Sequence, residues 1–362
     1  MTMHGELAMV AAKRMWFRGL ALVASTGSMV LAQPAQVSAP YPPSQVIRRI
    51  DWAPKETVIR KAHDSDNWPM TWADDDALYT AYGDGSGFEP FVPEKLSLGF
   101  AKVTGSPSAF SGENLRAPSL EQRGGGRRGR KASGLLCVDS VLYLWARNAT
   151  NSQLAWSEDH GATWSWADWK FTNSFGCPTF LNFGRNYAGA RDQFVYIYSP
   201  DTDSAYEVVD RLVLARVPKT DLRDRAAYEF FTGLHAGRAA WSPDVGSRGA
   251  VFSAAGLCYR VGISHAPELN RFLLVQPIPT TASRDGAGKI DTRFAGGLAV
   301  YDAPTPWGPW TTAFFTMQWD VGPGDSASFP TKWMSTDGKT LCLVFSWDDN
   351  FCVRRAQLKL PD

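Results

Sequence analysis

A pattern that returns five times constrains this chain more than any single residue does. At intervals of roughly 45 to 80 residues, a polar entry leads into an apolar strand, a turn, a second apolar strand, and a third closed by Gly, Pro or Trp. The first unit holds HDSDNWPMTWADDDALYTAYGDGSG and then KLSLGFAKV. The second reads LLCVDSVLYLWARN and QLAWSEDHGATWSW, and the third PTFLNFG, QFVYIYSPD and DRLVLARVPK. The fourth has YRVGISHAPELNRFLLVQPI with GGLAVYDAPTPWGPW, and the fifth FPTKWMSTDGKTLCLVFSWDDN with FCVRRAQLKL. Short apolar runs bounded by turn formers are strands buried between layers. Five such units predict an all-β, five-bladed β-propeller. The last unit has no fourth strand after Leu360, so residues 45–61, with VIRRIDW and TVIRK, are expected to close it from the N-terminal side. Only residues 222–231 suggest a short helix.

The chain of 362 residues is 44% hydrophobic and carries 15 tryptophans, enough for one large core. Indole faces stack on sugar rings, although most tryptophans in a large β-protein serve packing. The net charge of +1 sets up no global field for nucleic acid or an acidic membrane, and no nucleic-acid partner is expected. Lys13, Arg14 and Arg18 precede a small, apolar run ending in Val30, Leu31 and Ala32. Residues 1–32 therefore read as an export signal, too short and serine-rich for a membrane span. Secretion or a periplasmic location follows. Residues 33–44 read as a Pro-rich linker, and 45–362 as one propeller domain, expected to be a monomer. The five cysteines form no CxxC and sit in strand-like runs, so buried free thiols are expected.

The acidic hairpin in residues 63–87 carries the clearest chemistry. Asp66 lies nine residues before Asp75, in the turn, and Asp84 nine after it. In an extended hairpin both carboxylates return to the same end. In a propeller blade the innermost strand begins on the face where the second strand ends. That rule collects Asp66 and Asp84 with His63 and Asp64 in unit one, and Lys131, Arg147 and Asn148 in unit two. Asp201 comes from unit three, Arg260 from unit four, and Lys332, Asp348 and Asp349 from unit five. Trp68 and Trp347 are candidate stacking platforms. Glycoside hydrolysis needs two carboxyl groups, one protonated and one ionised, and nearby cations or burial set which is which. Asp66 and Asp84 are the expected catalytic pair. Against this, Asp84 in a Gly-Asp-Gly turn can simply cap backbone amides. No ligand spacing calls for a cofactor, although the crowded carboxylates leave room for a structural Ca²⁺ in the channel.

Five stretches resemble known families. Ser157, Asp159, Gly161 and Trp164 fit the S-x-D-x-G-x-x-W Asp-box of sialidase-like propellers. Its aspartate caps a turn, so Asp159 reads as structural. PTPWGPW, residues 304–310, looks like the GPW turn of five-bladed arabinanase and fructanase propellers. More closely, DNWPMTWADDDALYTAYGDG, GRKASGLLCVDSVLYLWARN and FPTKWMSTDGKTLCLVF resemble a family of uncharacterised propeller domains, some of whose members are endo-D-arabinanases. The resemblance spans about residues 47–360 and implies a propeller and a furanose-containing, arabinan-like substrate. Better-known arabinanases and xylosidases place an acid at the start of blade two and a Glu in blade three. Here Lys131 and the region 175–177 stand there, so that triad does not transfer.

The leading reading is thus a secreted glycoside hydrolase acting on a polysaccharide with a pair of aspartates. One alternative is a sialidase or polysaccharide lyase on an anionic glycan, with Arg147, Arg260 and Lys332 gripping a carboxylate and Tyr259 or His63 as base. A non-catalytic glycan-binding propeller is the other. The RGGGRRGRK loop, residues 123–131, reads either as a lid beside the site or as a solvated insertion.

Overall fold

The computed structural model describes residues 37–361. The expected export signal, 1–32, and the start of the linker lie outside the described residues. From Ser38 onward the chain forms one unit.

Five antiparallel blades follow in chain order. Blade one runs Met70–Trp72, Leu78–Tyr82, Gly99–Ser106 and Ala109–Leu115, and blade two Lys131–Val138, Val141–Arg147, Ser152–Ser157 and Ser165–Trp166. Blade three runs Thr179–Asn182, Phe194–Pro200, Val209–Pro218 and Glu229–His235, with Arg238–Ser242 and Phe252–Cys258 added at its outer side. Blade four is Gly262–Ala266, Arg271–Ile278, Gly297–Ala303 and Thr311–Thr316. Blade five is Ala327–Ser328, Thr340–Phe345 and Phe351–Lys359, and its outermost strand is the N-terminal Arg49–Trp52. Ile50 pairs with Leu358 and Trp52 with Ala356, so the N-terminal strand closes the last blade as expected.

The blades are held by apolar faces that meet their neighbours on both sides. Val141–Arg147 is buried at every position after Val141, which a strand exposed on one face would not be. Separate apolar clusters lie between blades one and two, across blades two to four, and between blades four and five. A fourth joins blade five to blade one, where Trp68 meets Phe351 edge-on at 5.1 Å between ring centres and Trp333 packs on Phe110 at 5.6 Å. The ring is therefore closed by packing. The five innermost strands jointly line an axial space of only about 40 Å³. A space of that size holds a water or so and is no channel for a sugar.

Three expectations need correction. Residues 222–231 form no helix beyond the single 3-10 turn Arg225–Ala227, and Glu229–His235 is a strand. The buried Tyr228, Phe230 and Phe231 are anchors of an outer blade strand, and their demand for burial overrides a weak helical period. Residues 41–44 are no free linker either. The Ser44 amide donates to the Thr312 carbonyl at 2.9 Å, and the Tyr41 ring packs on Phe252 at 4.8 Å. In unit five the innermost strand is Ala327–Ser328, ahead of the FPTKWM stretch that the repeat suggested.

Candidate active site

Because all five inner strands start at one end of the ring, the residues just before them converge there. Asp66 precedes the inner strand of blade one, Lys131 opens that of blade two, Arg260 precedes that of blade four, and Asp325 that of blade five. Asp84 joins them from the end of the second strand of blade one. Together they line a cleft of about 390 Å³, with Tyr206, Asp291, Arg293 and Asp349 among the other walls.

The backbone places Asp66 firmly. Asp66 and Gly83 exchange two amide–carbonyl hydrogen bonds of 2.8 Å each, which brings Asp84 to the same edge. Asn67 Nδ2 donates to Asp66 Oδ1 at 2.6 Å, and Arg147 Nη2 donates to Asn67 Oδ1 at 2.6 Å. Arg147 is thus a buried prop behind the acid, 1% exposed, rather than a group presented to the cleft. Asp84 is ion-paired with Lys131, which is itself buried. Asp325, which the sequence reading missed, pairs with Arg260 at 2.7 Å and lies 4.0 Å from Arg147.

This charge arrangement separates the acids. Burial, then the Asp325 carboxylate, pushes the Asp66 carboxyl up to about 7, against the opposing pull of Lys131, with Asp84 adding to the rise. Burial acts on Asp325 too, but the guanidiniums of Arg260 and Arg147 outweigh it and hold Asp325 below the usual carboxylate range. A proton-holding carboxyl and a carboxylate held ionised thus share one cleft near neutral pH, the division that acid–base chemistry needs. On the far wall Arg293 binds Asp291 at 2.7 Å and Asp349 at 3.0 Å. Hydrogen bonding to Arg293 lowers Asp291, whereas burial raises Asp349.

Among the described residues no group of three or more His, Cys, Asp or Glu side chains is arranged to hold a metal ion. Asp84 has Lys131 beside it, Asp325 has Arg260, and Asp291 and Asp349 share Arg293. The axial space beneath is lined by hydroxyl, amide and apolar groups with no carboxylate among them.

The remaining expected site residues divide clearly. Asn148 supports the glycine-rich loop: its Nδ2 donates to the Gly129 carbonyl at 2.8 Å and to the Tyr206 hydroxyl at 2.9 Å. Gly126 and Arg127 of that loop line the cleft. Asp201 is occupied by Ser174, Arg211 and Arg248 and does not line the cleft. His63 lines a neighbouring depression with Arg60 and Glu89, and Asp64 sits exposed beside it at a positive φ of 62°. Asp348 pairs with Arg60 at 2.5 Å, and the same guanidinium covers the Trp347 ring at 4.6 Å, so that face is taken. Trp68 is 1% exposed, its Nε1 bonded to the Asn350 carbonyl, and serves packing. Lys332 is at the opposite end of the ring, paired with Asp76 in the blade-one turn at 2.9 Å.

Neither base suggested for a lyase fits. Tyr259 is buried, which pushes its hydroxyl up to about 12, and it is not among the cleft walls. His63 faces a different depression. The 157–164 turn also lies away from the cleft. Asp159 accepts the Thr163 amide at 2.8 Å and the Ser157 hydroxyl at 2.8 Å, and His160 reaches Asp74 in the far-end turn at 2.9 Å.

No family model and no curated protein matches the chain. It is similar to several solved structures. A GH43_1 enzyme from Xanthomonas citri complexed with xylotriose is 10% identical, with 84% of this chain and 93% of that one covered and a TM-score of 0.45. The RS223 β-xylosidase is 10% identical over 84% and 95%, with a TM-score of 0.46. An exo-β-1,3-galactanase from Phanerochaete chrysosporium is 10% identical over 86% and 63%, with a TM-score of 0.43. Similarity at this level carries no argument about activity, which rests on the cleft.

Proposed function

We propose that the protein is a glycoside hydrolase that acts outside the cytoplasm on a polysaccharide. One observation carries the reading: Asp66 holds a proton near neutral pH in the same open cleft as the ion-paired carboxylates Asp84 and Asp325. In this mechanism Asp66 gives its proton to the glycosidic oxygen as that bond breaks. Asp84, beside Lys131, faces the sugar carbon as base for water or as nucleophile. Burial, and after it like-charge repulsion from Asp325, keeps the proton on Asp66, and Arg260 and Arg147 keep Asp325 ionised. The resemblance of the blade-one, blade-two and blade-five stretches to propellers that include endo-D-arabinanases supports a furanose-containing, arabinan-like backbone.

The test is a screen for new reducing ends, with chromatography of products, on arabinans, xylans, galactans and uronate-bearing polymers. Asp66→Asn and Asp84→Asn are run beside the parent. Cleavage by the parent that both substitutions abolish supports the assignment. A product with unsaturated-uronate absorbance would replace hydrolysis by elimination. Retention of a polymer without any product would make the protein a binding module.

A further inference from the structure

The cleft rim carries positive charge that the catalytic arrangement leaves unused. Lys95, Arg127 and Lys289 all line the cleft and are exposed. They come from three separate loops: one between the second and third strands of blade one, one between blades one and two, and one between the second and third strands of blade four. Among the described residues none of the three has a carboxylate within ion-pairing distance, whereas the cations deeper in the cleft, Lys131, Arg260 and Arg293, all do. An ordinary solvated surface mixes signs, and here Glu94, next to Lys95, is already taken by Arg123.

Arg127 is held in place. The Tyr206 hydroxyl donates to the Gly126 carbonyl at 3.0 Å, Asn148 binds both Gly129 and Tyr206, and the Arg127 guanidinium lies 4.8 Å from the Tyr206 ring centre. Arg147 and Arg260 also face that ring, at 5.4 and 5.2 Å. The glycine-rich loop is therefore docked on the cleft wall, with the exposed Arg127 among the residues that line the cleft. Of the five aspartates that also line the cleft, Asp84, Asp325, Asp291 and Asp349 are ion-paired with its deeper cations and Asp66 is buried, so none is matched to this rim. A cleft lined by unmatched charge of one sign concentrates ligands of the other.

We propose that the substrate is an anionic polysaccharide, whose carboxylate or sulfate groups flank the scissile bond and are bound by Lys95, Arg127 and Lys289. The proposal rests on the hydrolase reading for the word substrate, but binding tests it independently of cleavage.

The experiment measures retardation of the full-length Asp66→Asn protein in gels containing matched polymers. One pair is arabinan-bearing pectin before and after removal of its methyl esters, and the other is dextran and dextran sulfate. The expected result is binding at least about tenfold tighter to the charged member of a pair, weakened at 0.3 M salt. It should be lost in the combined Lys95→Ala, Arg127→Ala and Lys289→Ala variant, whose melting temperature and circular dichroism stay at parent values. The two charged polymers distinguish carboxylate from sulfate. Equal or absent retardation by both members of each pair overturns the proposal. So does charge-dependent binding that survives the triple substitution, or tighter binding of a single-stranded oligonucleotide of matched charge. Failure of hydrolysis alone, with charge-selective binding intact, would remove the enzymatic reading and leave the anion site standing.

Discussion

Asp66 and Gly83 stand opposite one another as antiparallel neighbours, and the missing side chain at Gly83 makes room for the Asp66 carboxyl. A Cβ at Gly83 would lie 2.7 Å from both Asp66 Oδ1 and Asn67 Nδ2. Gly83→Ala is therefore expected to push the acid out of line and cut kcat by about a hundredfold. Overpacking at a tight site costs about 1–3 kcal/mol, so the fold should survive with a lower melting temperature. Steady-state kinetics on the folded fraction, beside a thermal melt, checks both. An unchanged kcat would mean that the Asp66 position is not what catalysis depends on.

The raised Asp66 carboxyl also has a signature in stability. Its ordinary value is 3.8 and the fold moves it to about 7. Between those values the folded state binds more protons than the unfolded one, so stability falls as pH rises through that window. Above about 7 the penalty is complete. Asp66→Asn removes it and should raise stability at pH 8 by an amount on the order of a few kcal/mol, with little gain near pH 4. Denaturant titrations of parent and variant at pH 4, 6 and 8 measure the difference. A gain that is the same at every pH would contradict the shifted carboxyl.

Two neighbours of Asp66 push it in opposite directions, and their removal should move the alkaline limb of the pH–rate profile in opposite directions. The Asp325 charge raises Asp66, and Lys131 lowers it. Asp325→Asn should shift the limb to lower pH and weaken activity at pH 7. Lys131→Met should shift it to higher pH, with kcat reduced because Asp84 loses its partner. Profiles of kcat/KM from pH 4 to 9 provide the readout. Limbs that move together would show that Asp66 is not the titrating acid.

Much of this geometry is legible in the strand repeat, because the five-bladed pattern sets which end each strand starts from. Asp66, Asp84, Lys131 and Arg260 meet in the cleft for that reason. Asp325 escaped because the inner strand of blade five is only Ala327–Ser328, too short and too small-sided to read as an apolar run. Taking FPTKWM as that strand moved the expected face from Asp325 to Lys332, which lies past the strand and so at the far end. The same positional rule, applied one strand earlier, would have found Asp325. Trp68 shows a different limit. Its indole lies in the seam where blade five meets blade one, and contacts that distant in sequence leave no local trace. Composition likewise has no way to tell a cation already paired, such as the Arg60 that covers Trp347, from one left unmatched on the rim.

The docked glycine-rich loop gives the last prediction. Asn148 Nδ2 holds it through Gly129 and Tyr206, and neither contact touches the acids. Hydrogen bonds of this kind contribute about 0.5–1.5 kcal/mol each, so Asn148→Ala should release the loop without unfolding the blades. Trypsin should then cut at Arg127 or Arg128 faster than in the parent. KM should rise severalfold with kcat largely retained, because Arg127 leaves the rim while Asp66 and Asp84 stay in place. Lys332→Ala is the control: its ion pair with Asp76 lies at the far end of the ring on an exposed turn, where solvent screens it, and it should change neither cleavage nor kinetics. If Asn148→Ala and Lys332→Ala behave alike in both assays, the loop has no part in holding substrate.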